Sequence, residues 1–306
     1  MQRKNHQSKQ EKQSETTPAQ HTPSTFRVYP AHHPNETLIS RIVTKTNWDS
    51  TNYQKIRDRL QAISNTLPRV GFVLTPGAFI KVSTNTIFKG RPGTGWNTTQ
   101  TVFNAIIRDV APVMMEIIPP TLVKHISQKA DYLVLGIDAY SNNIRKINVQ
   151  LALIIDTATN KRRWTGKSYP TLSEESKVIL CDDLKTHTLK SKYGNVAVLG
   201  CHDLMAFSGR AASNTKKGSA RDIRANEFKK IIYDHKPRVI LQLPHYIDSK
   251  HTWAAPWKAI LNNCTSPVSW VSAFCNANII PGGPRENIPT LAYSYCSTDI
   301  ETIVLC

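Results

Sequence analysis

The sequence predicts an α/β fold with mixed sheets, and three observations predict it. Short apolar segments typical of buried strands recur along the chain, as at residues 70–74 and 195–200. Longer segments with helical spacing alternate with them, which is typical of layered α/β folds. A turn at residues 157–160 joins two strand-like segments as a hairpin, so some strands must pair antiparallel. A chain of 306 residues, 40% of them hydrophobic, can bury a substantial core.

Helical periodicity predicts five helices. In the first, apolar residues recur every three or four positions from Tyr53 to Ile63. Pro68 then closes the segment, because proline cannot continue a helix. The predicted helices cover residues 52–63, 101–108, 120–129 and 220–233, and a last one begins near residue 249.

Strand predictions rest on short runs of β-branched and other apolar residues that turn residues bound. Residues 70–74 end at the turn 75–77, and residues 195–200 form the clearest central strand. Residues 147–156 and a return strand that begins at Arg163 flank the hairpin turn. The other predicted strands cover residues 132–137, 239–243, 268–274, 291–295 and 302–305.

The first 35 residues are predicted to be a disordered basic tail in front of a single α/β domain at residues 36–306. They contain few apolar side chains, too few to offset the entropy of ordering. The whole chain has a net charge of +17. Such an excess attracts polyanions, so weak nucleic-acid binding is one expectation, and a solubility adaptation is the alternative. No nucleic-acid-binding motif accompanies the dispersed basic residues.

Cysteine usage and hydropathy bear on the compartment. All six cysteines lie beyond residue 180 and none forms a C-x-x-C pair, which favours reduced thiols in a cytoplasmic protein over a disulfide framework. The sequence has no run of about 18 apolar residues that would mark a transmembrane helix. The polar N-terminus lacks the apolar region of a secretory signal. We therefore expect no membrane association.

The strongest chemical feature is Gly200-Cys201-His202-Asp203, at the end of the central strand. Side chains at strand ends of α/β sheets emerge into a crevice, where a cysteine can act as a nucleophile. Neighbouring strand residues point to opposite faces, so His202 need not contact Cys201. The alternative is a buried structural cysteine, since cysteine is among the most buried residue types.

Residues 132–204 resemble the carbon–nitrogen hydrolase (nitrilase) superfamily in the order of their motifs. The family's strand that ends in glycine before a hairpin is matched by the strand ending at Gly136. Its asparagine on the outgoing hairpin strand is matched by Asn148. After the return strand, the family has a lysine followed by a proline and a glutamate, as in residues 167–174. A glycine-led strand that ends in the nucleophilic cysteine follows, as in residues 194–201.

The resemblance implies an α-β-β-α sandwich and an amidohydrolase that acts on a small-molecule substrate without a cofactor. Cys201 would be the nucleophile and Lys167 would stabilise the developing charge. Glu174 would match the family's additional glutamate, which positions the lysine and the substrate. Exposed surfaces of such sandwiches often pair, so a homo-oligomer is a further expectation. The residues predicted to bind the substrate are His202, Asp203 and His245.

One motif departs from the family pattern. The family's general base is a glutamate behind a proline just after an early strand, and the matching position is Gly77. Glycine cannot move a proton. Either another acid, such as Glu116 or Asp138, takes that role, or the chain has lost hydrolase activity and binds a ligand or partner instead.

A different set of residues competes with the cysteine site. The segment after the strand at 239–243 contains His245, Asp248 and His251. Together with His202 and Asp203 at a neighbouring strand end, this segment supplies ligands for a divalent metal, with zinc as the first candidate. The chain would then be a metal-dependent hydrolase. The spacing is not that of a standard zinc motif. The alternative is that these histidines form local hydrogen bonds in loops.

Overall fold

The computed structural model describes residues 26–31, 38–45, 48–84, 94–141, 148–209, 215–246, 250–264, 268–276 and 295–305. These residues form two β-sheets that pack face to face, and helices cover both outer faces. The predicted α/β class, the mixed sheets and the α-β-β-α sandwich are confirmed. No helix in this part of the chain is long and apolar enough to cross a membrane.

Thirteen strands form the two sheets of the described residues. In chain order they are β1 (Phe26–Tyr29), β2 (Ile39–Lys45), β3 (Val70–Leu74), β4 (Ile80–Thr84), β5 (Ala130–Ser141), β6 (Asn148–Asp156), β7 (Lys161–Gly166), β8 (Thr188–Ser191), β9 (Gly194–Leu199), β10 (Val239–Gln242), β11 (Ser269–Ser272), β12 (Cys275–Asn276) and β13 (Ile300–Leu305). The larger sheet runs β1-β13-β2-β3-β5-β6-β7, with β12 beside β2 and β4 beside β5. The smaller sheet runs β11-β10-β9-β8. In both sheets, parallel neighbours such as β2 and β3 are combined with antiparallel pairs such as β5 and β6.

Five α-helices of the described residues cover the outer faces. They are α1 (Tyr53–Thr66), α2 (Gln100–Ile117), α3 (Pro120–Ile126), α4 (Ala220–His235) and α5 (Lys250–Asn262). Helices α1 to α3 pack on the larger sheet, through side chains such as Leu60 and Phe103. Helices α4 and α5 cover the smaller sheet, through side chains such as Phe228 and Trp257. Full burial of such side chains stabilises the layers by about 1.5–3 kcal/mol each.

The inner faces of the two sheets share one apolar layer that becomes polar toward one end. Val134 of β5 and Ile154 of β6 pack there against residues of the smaller sheet such as Val198. Side chains on a strand alternate between faces, so Asp138 of β5 and Gln150 of β6 also point inward. These two residues are cross-strand partners. The polar end of the layer therefore lies beside the carboxyl end of β5.

Gly136 lies where the segment after β3 crosses the inner face of β5. Its N–H donates to Thr75 Oγ1 at 2.9 Å, and an added Cβ would lie 1.9 Å from Pro76 O. The variant Gly136→Ala should therefore shift this segment and lower the free energy of unfolding by about 1–3 kcal/mol, the usual cost of overpacking. Chemical denaturation measures the change. Unchanged stability would contradict the close approach of the two backbones.

Some predicted boundaries differ from the structure. Residues 26–29, predicted to belong to the disordered tail, form β1 and pair antiparallel with β13. The prediction is wrong there because backbone hydrogen bonds to an open sheet edge hold the segment, and composition does not reveal these. Strand β7 begins at Lys161 rather than Arg163, since its ladder with β6 extends to the hairpin turn. The predicted strand at 291–295 lies outside the described residues, apart from Tyr295.

Candidate active site

Cys201 lies in a turn directly after β9, where two backbone segments meet closely. An added Cβ at Gly200 would lie 2.9 Å from both Lys167 Cα and Asp203 Oδ2. Cys201 as a whole residue is partly exposed, and the backbone N–H of His245 donates to its Sγ at 3.4 Å. A residue larger than glycine before the cysteine would push these segments apart. The predicted nucleophile therefore lies at a strand end, as expected.

A buried chain of polar side chains fixes the backbone of Cys201. Gln242, the last residue of β10, donates from Nε2 to Cys201 O at 3.1 Å and accepts from Ser272 Oγ at 2.6 Å. Trp257 Nε1 in turn donates to Ser272 Oγ at 3.1 Å. A buried network whose polar groups all have hydrogen-bond partners is rigid. Sequence reasoning missed Gln242, although a polar residue at the end of an apolar strand was the signal.

Asp203 joins two backbone segments instead of facing the site. Its side chain is fully buried, and its carboxylate accepts the backbone N–H groups of Gly200, Ser168 and Tyr169 at 2.7–2.8 Å. These bonds tie the segment after β7 to the turn that contains Cys201, and they occupy both carboxylate oxygens. The expected substrate contact by Asp203 does not fit this geometry, because backbone donors already satisfy its charge.

Lys167 and Glu174 form an ion pair close to the thiol. Lys167 follows β7 and is 1% exposed, and its Nζ lies 2.5 Å from Glu174 Oε2. Glu174 also accepts from the Thr171 N–H at 2.8 Å and from Gln150 Nε2 at 3.4 Å. Burial opposes ionisation of Glu174, but the charge and hydrogen bond of Lys167 outweigh it and lower the pKa of Glu174 to about 2. At neutral pH, Glu174 is therefore an anion that holds the ammonium group.

His245 connects the thiol to Asp138. Its Nε2 lies 2.9 Å from both carboxylate oxygens of Asp138. The backbone N–H of His245 donates to Cys201 Sγ at 3.4 Å, and the charge of its ring acts on the thiol. Burial opposes protonation of His245, but the charges of Asp138 and Cys201 raise its pKa well above the ordinary value. Three segments distant in the chain thus assemble a cysteine–histidine–aspartate arrangement.

The surroundings of Cys201 favour its ionised form. Desolvation by burial opposes ionisation of the thiol, but the charge and hydrogen bonds of His245 and the charge of Lys167 outweigh it, so the pKa of Cys201 is lowered. Among the described residues, it is the one cysteine whose pKa is lowered, which is the property of a reactive thiol. Burial raises the pKa of the other described cysteines, Cys181, Cys264, Cys275 and Cys296.

Gly77, the position of the expected glutamate, borders the same site. An added Cβ there would lie 2.7 Å from Leu243 O and 3.2 Å from His245 Nδ1. The imidazole therefore occupies space that a side chain at residue 77 would need. Of the two acids considered as substitutes, Asp138 lies in the site, whereas Glu116 is exposed on α2 in the outer helical layer.

His202 stacks on Tyr169, with ring centroids 6.1 Å apart and planes at 4°. Burial and the charge of Lys167 lower the pKa of His202 to about 4, so the ring is neutral at neutral pH. Within the part of the chain that the structure describes, its Nδ1 has no hydrogen-bond partner. Substrate contact by this residue stays a prediction.

Among the described residues, the ligands of the competing metal site do not come together. Asp203 is occupied by backbone donors, and His245 pairs with Asp138. Among the residues with described positions, no group of three or more His, Cys, Asp or Glu side chains could hold a metal ion. The hypothesis of a metal-dependent hydrolase at His202, Asp203 and His245 therefore does not fit the structure. Asp248 lies outside the described residues.

Comparison with known proteins finds solved structures whose fold is similar to that of this chain. No protein-family model matches the chain, and no curated protein does. An amidase from Nesterenkonia sp. matches with 12% identity and a TM-score of 0.46, over 79% of this chain and 78% of the amidase. A cysteine-to-alanine variant of the Nesterenkonia AN1 amidase "from the nitrilase superfamily" matches with 12% identity and a TM-score of 0.45, over 79% and 78%. A glutamate-to-glutamine variant of that amidase carries the acetamide moiety of fluoroacetamide, added covalently at its active-site cysteine. It matches with 12% identity and a TM-score of 0.46, over 79% of this chain and 78% of the amidase.

Proposed function

We propose that this chain is a nitrilase-like, cysteine-dependent hydrolase of carbon–nitrogen bonds, with carboxamides as its substrate class. The observation that supports this most is the geometry at the end of β9, where Cys201 accepts from the His245 N–H, His245 pairs with Asp138, and the charges of His245 and Lys167 lower the pKa of Cys201. Burial alone does the opposite, as it raises the pKa of Cys181 to about 11. A buried thiol that is easily ionised needs charges arranged around it, and such arrangements cluster at reactive sites.

The covalent chemistry begins with the thiolate. Cys201 Sγ attacks the amide carbon, the π electrons of the carbonyl move onto oxygen, and a tetrahedral adduct forms. The adduct collapses with cleavage of the carbon–nitrogen bond to a thioester, and the nitrogen leaves as ammonia or an amine after it gains a proton. Water then attacks the thioester, which releases the carboxylic acid and restores Cys201.

Lys167 is suited to stabilise the oxyanion of that adduct. Its ammonium is buried and held in place by Glu174 before any substrate arrives. A preorganised cation in a water-poor site stabilises developing negative charge with little reorganisation. Its charge also lowers the pKa of Cys201, so Lys167 lies close enough to the reacting sulfur to act on it.

The variant Lys167→Met should lower kcat by about 10²–10³-fold, because methionine keeps an apolar stem but removes the charge. The pKa of Glu174 should rise from about 2 toward its ordinary range. In the wild type, the stability from this pair is present above the unfolded pKa of about 4.3 and is lost as pH falls toward 2. Steady-state kinetics and acid unfolding measure both effects. An unchanged kcat would remove Lys167 from the mechanism.

Alkylation of the native protein by iodoacetamide, mapped by mass spectrometry from about pH 5 to about pH 10, tests the proposal. Cys201 should react well below the ordinary thiol pKa of about 8.5, whereas the partly exposed Cys264 should not. Ammonia release from a set of aliphatic and aromatic carboxamides then tests turnover. If Cys201 reacts only near the ordinary thiol pKa, the proposal is refuted. An activated Cys201 without turnover would favour a member that binds a ligand or partner but does not hydrolyse it.

A further inference from the structure

We propose that His245, held by Asp138, is the proton-transfer residue of this site, in place of the side chain that is absent at Gly77. The inference rests on the proposed function. It assigns to a histidine–aspartate pair the role that the family resemblance gives to a glutamate.

Backbone contacts fix His245 next to Gly77 and the thiol. Gly77 N–H donates to Pro244 O at 3.0 Å, and His245 N–H donates to Cys201 Sγ at 3.4 Å. On the other side, Cys275 N–H donates to His245 O at 2.9 Å. The segment after β10 is thus held between the turn after β3 and the nucleophile. A side chain at residue 77 and the imidazole would compete for the same space.

The other acidic and imidazole groups near the thiol are unsuited to this role. Glu174 holds Lys167 and has a pKa of about 2, which is too low to accept a proton from water at an appreciable rate. Asp203 is saturated by three backbone N–H groups. His202 has a pKa of about 4, also far below neutral pH. Among the described residues of the site, His245 remains as the candidate for proton transfer. Its backbone N–H contacts Cys201 Sγ, and its charge acts on the thiol.

The pair accounts for every proton in the reaction. At rest, Cys201 is a thiolate and His245 an imidazolium that Asp138 balances. As the carbon–nitrogen bond of the adduct breaks, the imidazolium donates a proton to the leaving nitrogen. The neutral imidazole then takes a proton from the water whose oxygen attacks the thioester. The carbon–sulfur bond breaks, and the thiolate and imidazolium are restored, so amide and water have become acid and amine.

Several charged or titratable groups surround His245 and bias its protonation. Asp138 on β5 and Cys201 after β9 raise the pKa of His245. Cys275 on β12 interacts with it, and the charge of Lys167 acts on its partner Cys201. Because thiol and imidazole stabilise each other's charge, loss of either Asp138 or His245 should raise the pKa of Cys201.

The test is the pH profile of iodoacetamide alkylation at Cys201 in the full chain, for wild type, His245→Gln and Asp138→Asn. Glutamine can still form hydrogen bonds but cannot carry the proton. His245→Gln should move the midpoint of reactivity to higher pH and slow alkylation near about pH 6 by about tenfold or more, the effect of one pKa unit. Asp138→Asn should move the midpoint in the same direction by less. Thermal unfolding checks that both variants fold.

The outcomes distinguish this inference from the proposed function. If wild-type Cys201 is activated and its midpoint stays unchanged in His245→Gln, the histidine is not its proton partner and the hydrolase proposal stands. If wild-type Cys201 behaves as an ordinary thiol, the proposed function fails first. Should His245→Gln not fold, Asp138→Asn decides the question, and an unchanged midpoint in that variant overturns the inference.

Discussion

Replacement of Cys201 by serine is expected to lower turnover by about 10³-fold or more, while the protein keeps its fold. A hydroxyl is far less acidic than a thiol, so the same His245 and Lys167 cannot ionise it at neutral pH. The two side chains differ by one atom, and the position is partly exposed, so packing changes little. Ammonia release from the carboxamide that the wild type hydrolyses fastest measures the loss, with thermal unfolding as the check on folding.

Cys264→Ser is the matched control for this variant. Cys264 is also partly exposed, but burial raises its pKa, and its Sγ donates to Ile260 O at 3.3 Å. Its variant should retain wild-type turnover. Wild-type turnover in Cys201→Ser would contradict the proposed nucleophile, and a loss confined to Cys264→Ser would place the reacting thiol elsewhere.

Introduction of a glutamate at Gly77 should lower activity strongly rather than improve it. The new side chain would start 2.7 Å from Leu243 O and 3.2 Å from His245 Nδ1, so Gly77→Glu must displace the backbone or the imidazole. It would also bring a second carboxylate near Asp138. We expect kcat/KM to fall by about 10²-fold or more, and the free energy of unfolding to fall by about 1–3 kcal/mol.

Two further glycine variants separate the causes. Gly77→Ala adds the Cβ without a charge, and it should still lower kcat/KM if crowding of His245 is the main effect. Gly209→Ala is the control for glycine replacement, because an added Cβ there meets no atom within 4 Å. Kinetics and chemical denaturation of all three variants provide the comparison. Higher activity in Gly77→Glu would show that a glutamate works better there than His245 does.

Part of the site could be predicted because its residues lie in one continuous stretch. Lys167, Glu174 and Cys201 occur in successive segments whose order resembles a known family. Cys201 follows a strand that an apolar run marks, and Lys167 and Glu174 follow the return strand of the predicted hairpin, so the fold and these residues were predicted together. In the structure, Lys167 and Glu174 form a pair, and the charge of Lys167 acts on Cys201.

The pairing of Asp138 with His245 could not be predicted, because 107 residues separate them. Asp138 lies on β5 and His245 lies after β10, and these two strands belong to different sheets. One signal was available: period-two alternation places Asp138 on the same face of β5 as Val134. The backbone contacts of Asp203 could not be predicted, for a local reason. The turn after Gly200 brings its carboxylate back to backbone N–H groups, and strand alternation does not extend into a turn.

The place of β13 in the larger sheet has a consequence for the rate of folding. It inserts between β1 and β2, yet Ser40 of β2 and its hydrogen-bond partner Glu301 of β13 are 261 residues apart in the chain. The entropy of closing so long a loop must be overcome before these contacts form, so insertion of β13 should be a late step. Until then, the edge of β2 is open to strands of other molecules. Refolding yield should therefore decrease as protein concentration increases.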